Sequence, residues 1–279
     1  MIVTFIGGGN MAQAIIGGLL LFKNQLAKDI RVVEIDADTL GQVKIKFGDI
    51  VFSKTQSEAI KGADVIVLAV KPQQLFEVVT HLQPLPEQIV LSLAAGIKLT
   101  DLMRWLFGKK SGQDCTLVRA MPNMPAFVGE SITGLYSFPP KNMLAQNQIG
   151  MIESIVMAIG KVVWVNSDDE MNAVTAISGS GPAYVFLFME AIEQAAAELR
   201  LPKDIAHMLV LQTFVGASKL AAGSSGPLAA LRERVTSKGG TTEAALKSMA
   251  TDQVKEAINR AVKAAHKRAR ELGDELGKQ

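Results

Sequence analysis

One glycine-rich segment near the start of this 279-residue chain has the residue types and spacing of an anion-binding turn. It consists of Gly7, Gly8, Gly9, Asn10, Met11 and Ala12, and it separates an apolar run from an apolar helical pattern. In the pattern G-x-G-x-x-A, Gly7 permits a tight turn, Gly9 lets the backbone approach a pyrophosphate, and Ala12 lets a helix pack on a strand. The free backbone N–H groups that begin such a helix, here from Asn10 and Met11, hold the anion. The segment therefore predicts a site for a nicotinamide dinucleotide.

Two acids, Glu34 and Asp36, follow the next apolar run at the distance expected of a ribose-binding carboxylate. A carboxylate there accepts a hydrogen bond from a ribose 2′-hydroxyl and repels a 2′-phosphate, which favours NADH. Three nearby cations, Lys28, Arg31 and Lys54, could instead neutralise a phosphate. The sequence therefore predicts NADPH or NADH and leaves the choice open.

Further cofactor-binding residues are expected where later apolar runs end, because ligands gather at the carboxyl ends of parallel strands. These residues are Ala69, Lys71, Pro72, Ala95, Gly96 and Asn123. Lys71 could contact phosphate or ribose, or could equally be a solvated lysine before a helix. The amide of Asn123 could orient the nicotinamide, the alternative being an ordinary turn asparagine.

Two breaks in the helical second half carry hydroxyl groups. Ser178 and Ser180 lie among glycines, which suggests a kink that packs under the active site, although a plain hinge would also explain the glycines. The second break, 235–243, places glycines and hydroxyls at a helix start, as in an anion cradle. A threonine amino cap with Glu243 near the helix dipole is the alternative, and both can hold.

The elements that position these residues form two predicted domains. Residues 1–165 alternate apolar runs with helical segments, which predicts an α/β Rossmann domain with a mostly parallel, doubly wound sheet. Residues 166–279 are predicted to be all helical. The predicted strands are Ile2–Ile6, Ile30–Glu34, Val65–Val70, Ile89–Leu93, Thr116–Arg119, and two edge strands, Ile132–Tyr136 and Val162–Val165, with a helix at Met143–Ile159 between them.

Composition excludes several classes of function. The 29 basic residues against 27 acidic ones give a net charge of +2, too balanced for a nucleic-acid partner. A single cysteine, Cys115, excludes an internal disulfide framework, and no metal site is expected. Apolar stretches are interrupted before the roughly 18–20 residues that span a bilayer. We therefore expect a cytoplasmic protein without a membrane partner.

Taken together, these segments resemble the pyrroline-5-carboxylate reductase family over nearly the whole chain. The most specific matches are Ser178 to Tyr184 and Val235 to Thr242, supported by Phe5 to Met11, Ala69 to Pro72, Ala94 to Gly96 and Arg119 to Asn123. Lys238 departs from the family pattern, which usually has proline there, so the stiffness of that loop is in doubt. The family reduces pyrroline-5-carboxylate to L-proline by hydride transfer from NAD(P)H to a cyclic imine, the last step of proline biosynthesis.

The resemblance also implies roles for the second break and a quaternary structure. The substrate carboxylate would lie against the loop at a dimer interface, and Thr242, with Ser237, would serve catalysis by hydrogen-bonding or protonating the ring nitrogen. The predicted substrate-binding residues are Ser178, Ser180, Ser237, Gly239, Gly240, Thr241 and Thr242. Family members form dimers through their carboxyl-terminal helices, often assembled into larger rings. Two alternatives are a β-hydroxyacid-dehydrogenase-like oxidoreductase and a non-catalytic dinucleotide-binding regulatory module.

Overall fold

The structure is a computed structural model that describes residues 1–22, 25–108 and 115–279. Within these residues the strands form a single sheet in the order β3-β2-β1-β4-β5-β6-β7-β8. The strands are β1 (Val3–Ile6), β2 (Ile30–Val33), β3 (Val51–Phe52), β4 (Val65–Leu68), β5 (Ile89–Ser92), β6 (Thr116–Met121), β7 (Ser131–Phe138) and β8 (Gly160–Trp164).

The sheet is mostly parallel, and the chain reverses its direction of winding next to β1. β1 pairs in parallel with both β2 and β4, whereas β7 runs antiparallel to β6 and parallel to β8. In an open sheet of this kind the ligand site lies beyond the carboxyl ends of the strands at the reversal point. The predicted α/β Rossmann fold and its two edge strands are confirmed.

Helices cover the sheet and continue through the rest of the chain. They are α1 (Asn10–Phe22), α2 (Ala37–Lys46), α3 (Gln56–Ala59), α4 (Pro72–Thr80), α5 (Leu99–Phe107), α6 (Gln146–Val156), α7 (Asp168–Val174), α8 (Gly181–Glu198), α9 (Lys203–Ala222), α10 (Leu228–Arg234), α11 (Thr241–Thr251) and α12 (Val254–Leu276). A π-helical turn, Thr175–Gly179, lies between α7 and α8. The helix predicted at Met143–Ile159 is shorter at both ends: Met143 belongs to a 3-10 turn, Leu144 and Ala145 are extended, and α6 ends at Val156.

The sheet is buried on both faces, which explains why its central strands show no polar alternation. All four residues of β4 are fully buried, and one apolar cluster lies on each face of the sheet. Local sequence sets the helix starts: the Asp36 carboxylate accepts a hydrogen bond from the Thr39 N–H at the start of α2, and Pro72 occupies the first position of α4.

The chain divides into two compact units. The first contains Met1–Ser180 together with Ala265–Gln279, and the second contains Gly181–Ala264, which is entirely helical. The last strand of the sheet ends at Trp164, and all the described secondary-structure elements after it are helices. The domain boundary between residues 165 and 166 stays a prediction.

Helix α9 is long and apolar enough to cross a membrane, judged by length and composition alone. Only 11% of its most apolar window is buried within the chain. The neighbouring helix α8 is also apolar on its surface, with Phe186 and Leu187 each 63% exposed. Monomeric proteins rarely expose large contiguous apolar patches, so these helices need a further apolar surface to cover them.

Candidate active site

The glycine-rich turn lies where three strands end at the same level. Ile6 is paired with Val33 on one side and with Leu68 on the other, so Gly7, Glu34 and Ala69 follow neighbouring strand ends. Gly7 has a φ of +101°, and a Cβ there would lie 2.8 Å from the Ala69 carbonyl oxygen. Gly7 is therefore required by both the turn and the close packing on Ala69.

Gly9 is different, because a Cβ added there would have only the Ala69 oxygen within 4 Å, at 3.9 Å. Its carbonyl accepts the Gln13 N–H, the first bond of the helix ladder. The N–H groups of Asn10, Met11 and Ala12 precede that bond and have no partner within the helix. The space beside Gly9 and these donors are compatible with a dinucleotide pyrophosphate, and the binding of one by these residues stays a prediction.

The two acids after β2 are both held by backbone groups. The Glu34 carboxylate accepts hydrogen bonds from the Gly8 N–H at 2.7 Å and from the Asp36 N–H at 2.8 Å. The Asp36 carboxylate accepts from the Thr39 N–H at 2.8 Å. Hydrogen bonds from Thr39 lower the pKa of Asp36, and the charge of Lys71 adds a smaller effect in the same direction. Lys71 therefore lies at the same edge of the sheet as Asp36.

The turn that follows β5 presents one exposed and one buried candidate. Ala95 is exposed, whereas Gly96 is buried, has a φ of +78°, and packs close to Leu276 of α12. Gly96 is therefore needed for the backbone conformation and for this packing. Contact of either residue with the cofactor stays a prediction.

Asn123 is only 9% exposed, and both ends of its amide are already hydrogen-bonded. Its Nδ2 donates to the Ser178 Oγ at 3.0 Å and to the Ser178 carbonyl at 3.2 Å. Its Oδ1 accepts from the Ser131 Oγ at 2.9 Å and from the Ile132 N–H at 3.3 Å. This side chain joins β7 to the π-helical turn, so a contact with nicotinamide would require it to leave these partners.

The break at Ser178 and Ser180 is a π-helical turn rather than a free hinge. The Ser180 N–H donates to the Thr175 carbonyl at 2.9 Å, and a Cβ at Gly179 would lie 2.8 Å from the Met121 methyl carbon. Gly179 therefore allows the turn to pack against the end of β6. Such turns occur often at functional sites, and substrate contact by the two serines stays a prediction.

Sequence reasoning assigned no role to Arg119, a buried charge in the middle of β6. Its side chain is 2% exposed, and its Nη1 donates to the Asp168 Oδ1 at 2.6 Å. Burial lowers the pKa of Arg119, and the Asp168 carboxylate opposes that shift. The signal in the sequence was a charged residue within an apolar strand, since such a charge is almost always paired.

The predicted anion cradle lies entirely in the second unit, at the start of α11. Gly240 is the cap residue and no side chain caps the helix, so the alternative of a threonine cap is wrong. The Glu243 carboxylate accepts from the Gly239 N–H at 2.6 Å, and the Gly240 N–H donates to the Ser237 carbonyl. The N–H groups of Thr241 and Thr242 begin the helix and have no partner within it.

The loop before α11 borders a cavity lined by charges of both signs. Gly239 has a φ of +74°, which a glycine adopts without strain. A neighbouring cavity of about 910 Å³ is lined by Thr236, Gly239 and Gly240, and by charged side chains of both signs. These are Arg232, Glu233, Glu243, Lys247 and Lys255. Thr242 is half-buried, whereas Ser237 and Thr241 are exposed.

Comparison with known proteins covers both units. A family model described as pyrroline-5-carboxylate reductase dimerisation matches residues 168–272, and one described as NADP oxidoreductase coenzyme F420-dependent matches residues 2–96. The chain is similar to a pyrroline-5-carboxylate reductase of Pseudomonas aeruginosa, with 40% identity over 99% of this chain and 98% of that one.

Solved structures agree over the whole length. A pyrroline-5-carboxylate reductase from Coxiella burnetii has a TM-score of 0.86 and 39% identity, covering 97% of each chain. A pyrroline carboxylate reductase from Plasmodium falciparum, solved with NADP bound, has a TM-score of 0.82 and 25% identity, covering 98% of each chain. The resemblance inferred from the sequence is confirmed: this chain belongs to the pyrroline-5-carboxylate reductase family.

Proposed function

We propose that this chain reduces 1-pyrroline-5-carboxylate to L-proline with NAD(P)H, the last step of proline biosynthesis. The observation that carries the proposal is a pair of helix starts whose first N–H groups have no partner within the helix, in a chain of this family. One follows the glycine turn at Gly7 to Gly9, and the other is the uncapped start of α11. The first suits a dinucleotide pyrophosphate and the second suits the carboxylate of a small substrate.

The residues of the first unit bind the cofactor, whose reduced nicotinamide supplies the hydride. The N–H groups of Asn10, Met11 and Ala12 bind the pyrophosphate, and the absence of a side chain at Gly9 leaves room for it. Glu34 binds the adenosine ribose, and Lys71 contributes a positive charge at the same edge of the sheet.

The loop of the second unit holds the substrate. Its carboxylate accepts hydrogen bonds from the N–H groups that begin α11, next to Gly239 and Gly240. The hydroxyl of Thr242 hydrogen-bonds the ring nitrogen, and Ser237 supports it from the same loop. A cyclic imine is protonated readily in water, so the site needs orientation and an anion cradle more than a strong acid. We also assign substrate binding to Ser178, in the π-helical turn, and to Ser180, which follows it.

Self-association explains the exposed helices α8 and α9, since the dimerisation model spans both. We propose that a second copy of the chain covers these helices, rather than a bilayer or a nucleic acid, and that dimers can assemble into a larger ring. A cytoplasmic location fits this arrangement. In this scheme residues 1–165 bind the cofactor, and residues 166–279 bind the substrate and form the dimer.

The direct test mixes the purified chain with pyrroline-5-carboxylate and either NADH or NADPH. We expect loss of nicotinamide absorbance and equimolar formation of proline. Cofactor binding with no turnover of the imine would contradict the proposal and favour a regulatory module. Reduction of NAD(P)⁺ by a β-hydroxyacid would favour a hydroxyacid dehydrogenase, although the chain has no lysine between Met171 and Leu199 to act as its base.

A further inference from the structure

The Glu34 carboxylate occupies the backbone donors that lie beside the glycine turn. Glu34 directly follows β2, and its Oε2 accepts from the Gly8 N–H while its Oε1 accepts from the Asp36 N–H. Each carboxylate oxygen has a second lone pair that these bonds leave available. The strand end therefore presents an oriented acceptor next to the dinucleotide turn.

This arrangement distinguishes a ribose hydroxyl from a ribose phosphate. A 2′-hydroxyl can donate a hydrogen bond to the remaining lone pairs of Glu34. A 2′-phosphate carries about two negative charges at neutral pH and needs donors or cations. At this edge it would meet a carboxylate already bound to both nearby N–H groups, so the phosphate would be repelled.

Two of the cations that could neutralise a phosphate are unavailable to it. Lys28 precedes β2 and so lies at the opposite end of that strand. The Arg31 guanidinium donates to the carbonyl oxygens of Ala59 and Lys61. Lys71 lies at the same edge of the sheet, where its charge contributes to lowering the pKa of the exposed Asp36 carboxylate. Lys54 is exposed two positions beyond the end of β3, so Lys54 and Lys71 are the two cations considered from the sequence that remain.

We propose that Glu34 makes this enzyme selective for NADH over NADPH. The inference rests on the proposed reductase function only in assuming that the cofactor is a nicotinamide dinucleotide. It concerns the adenosine end of that cofactor, away from the reacting nicotinamide. Selectivity comes from the position of the carboxylate: the backbone N–H groups of Gly8 and Asp36 fix it where the 2′ substituent of the ribose must lie.

Binding of cofactor fragments tests this without any turnover. Titration calorimetry would compare ADP-ribose with its 2′-phosphorylated form on the intact wild-type protein. We expect ADP-ribose to bind more tightly by about tenfold or more. Equal affinities, or tighter binding of the phosphorylated form, would overturn the proposal. This comparison needs only the wild-type protein.

Three variants assign the effect to a residue. Glu34→Ser frees both backbone donors and should reduce the discrimination to about threefold or less, mainly through tighter binding of the phosphorylated fragment. Asp36→Asn removes a nearby charge but keeps a good helix cap, and Lys54→Ala removes one of the two remaining cations. Both should retain the wild-type discrimination. Loss of discrimination in Asp36→Asn, or its persistence in Glu34→Ser, would refute the role of Glu34.

The same titrations separate this inference from the proposed reaction. A protein that prefers ADP-ribose but reduces no imine would contradict the reductase function and leave the selectivity of Glu34 intact. A protein that reduces the imine equally well with NADPH and NADH, and binds both fragments equally, would support the reductase function and refute the selectivity of Glu34.

Discussion

Replacing either of two glycines in the dinucleotide turn should separate cofactor binding from folding. Gly9→Ala adds a methyl group that meets nothing closer than the Ala69 oxygen at 3.9 Å, so the chain itself tolerates it. The methyl group would occupy the space beside α1 that we assign to the pyrophosphate. Loss of charge-assisted hydrogen bonds costs about 1.5–3 kcal/mol, which corresponds to roughly 10- to 150-fold weaker cofactor binding.

Gly7→Ala is the matched control, because it should act on stability instead. The residue has a φ of +101°, and its new Cβ would lie 2.8 Å from the Ala69 oxygen and 2.9 Å from the Ala69 carbonyl carbon. Backbone strain and overpacking together should lower the free energy of unfolding by about 2–5 kcal/mol.

Calorimetric titration with NADH and urea unfolding measure the two quantities on both variants. The reasoning predicts that Gly9→Ala unfolds within about 1 kcal/mol of the wild type while binding cofactor poorly. If Gly9→Ala binds NADH as tightly as the wild type, the pyrophosphate does not approach this position. If Gly7→Ala is as stable as the wild type, the strain argument is wrong.

Three further pairs of variants test the packing, the buried charge and the catalytic hydroxyl. In α1, the methyl group of Gly18→Ala would overlap the backbone of Ala158 and should lower the free energy of unfolding by about 3 kcal/mol or more. The methyl group of Gly17→Ala meets only the Phe47 ring at 3.7 Å, so this change should be neutral or stabilising by up to about 1 kcal/mol. Equal unfolding curves for the two variants would refute this. Asp168→Asn leaves the guanidinium of Arg119, which is 2% exposed, without its charged partner, and should lower the free energy of unfolding by about 3–5 kcal/mol. Arg119→Met leaves a carboxylate that water can reach and should cost less, so a larger loss of stability for Arg119→Met would contradict the account. Thr242→Ala should lower kcat at least about tenfold while cofactor affinity stays nearly unchanged, and Thr242→Ser, which keeps the hydroxyl, should retain most of the rate. An unaltered kcat in Thr242→Ala would contradict the proposed catalytic role of Thr242.

The fold was predictable wherever the pattern was local. The central strands are continuous apolar runs, and their helices begin at recognisable residues such as Pro72 and Asp36. β3 and α3 were not predicted, because a two-residue strand and a four-residue helix are too short to show a periodicity. The length of α6 was overestimated at both ends, since Met143, Leu144 and Ala145 before it and Met157, Ala158 and Ile159 after it are residues that a helix also accommodates.

The site was predictable in its segments but not in its side-chain partners. Glycine spacing located both helix starts that we propose as anion sites. The bonds of Asn123 to Ser178, 55 residues away, and of Arg119 to Asp168, 49 residues away, depend on which elements the fold brings together. An amide that looks available for a ligand in the sequence is thus used to hold the backbone. For the same reason, the sequence left the choice between NADH and NADPH open, and the proposed selectivity depends on the orientation of Glu34.

Transfer of a label from cofactor to product tests the central claim most directly. NADH or NADPH deuterated at both C4 positions of the nicotinamide would be incubated with the protein and pyrroline-5-carboxylate, and the product analysed by mass spectrometry and NMR. The account predicts that each proline gains a single deuterium, located on the δ carbon that was the imine carbon. Proline without deuterium, or a label that exchanges with water before transfer, would contradict direct hydride transfer by this chain.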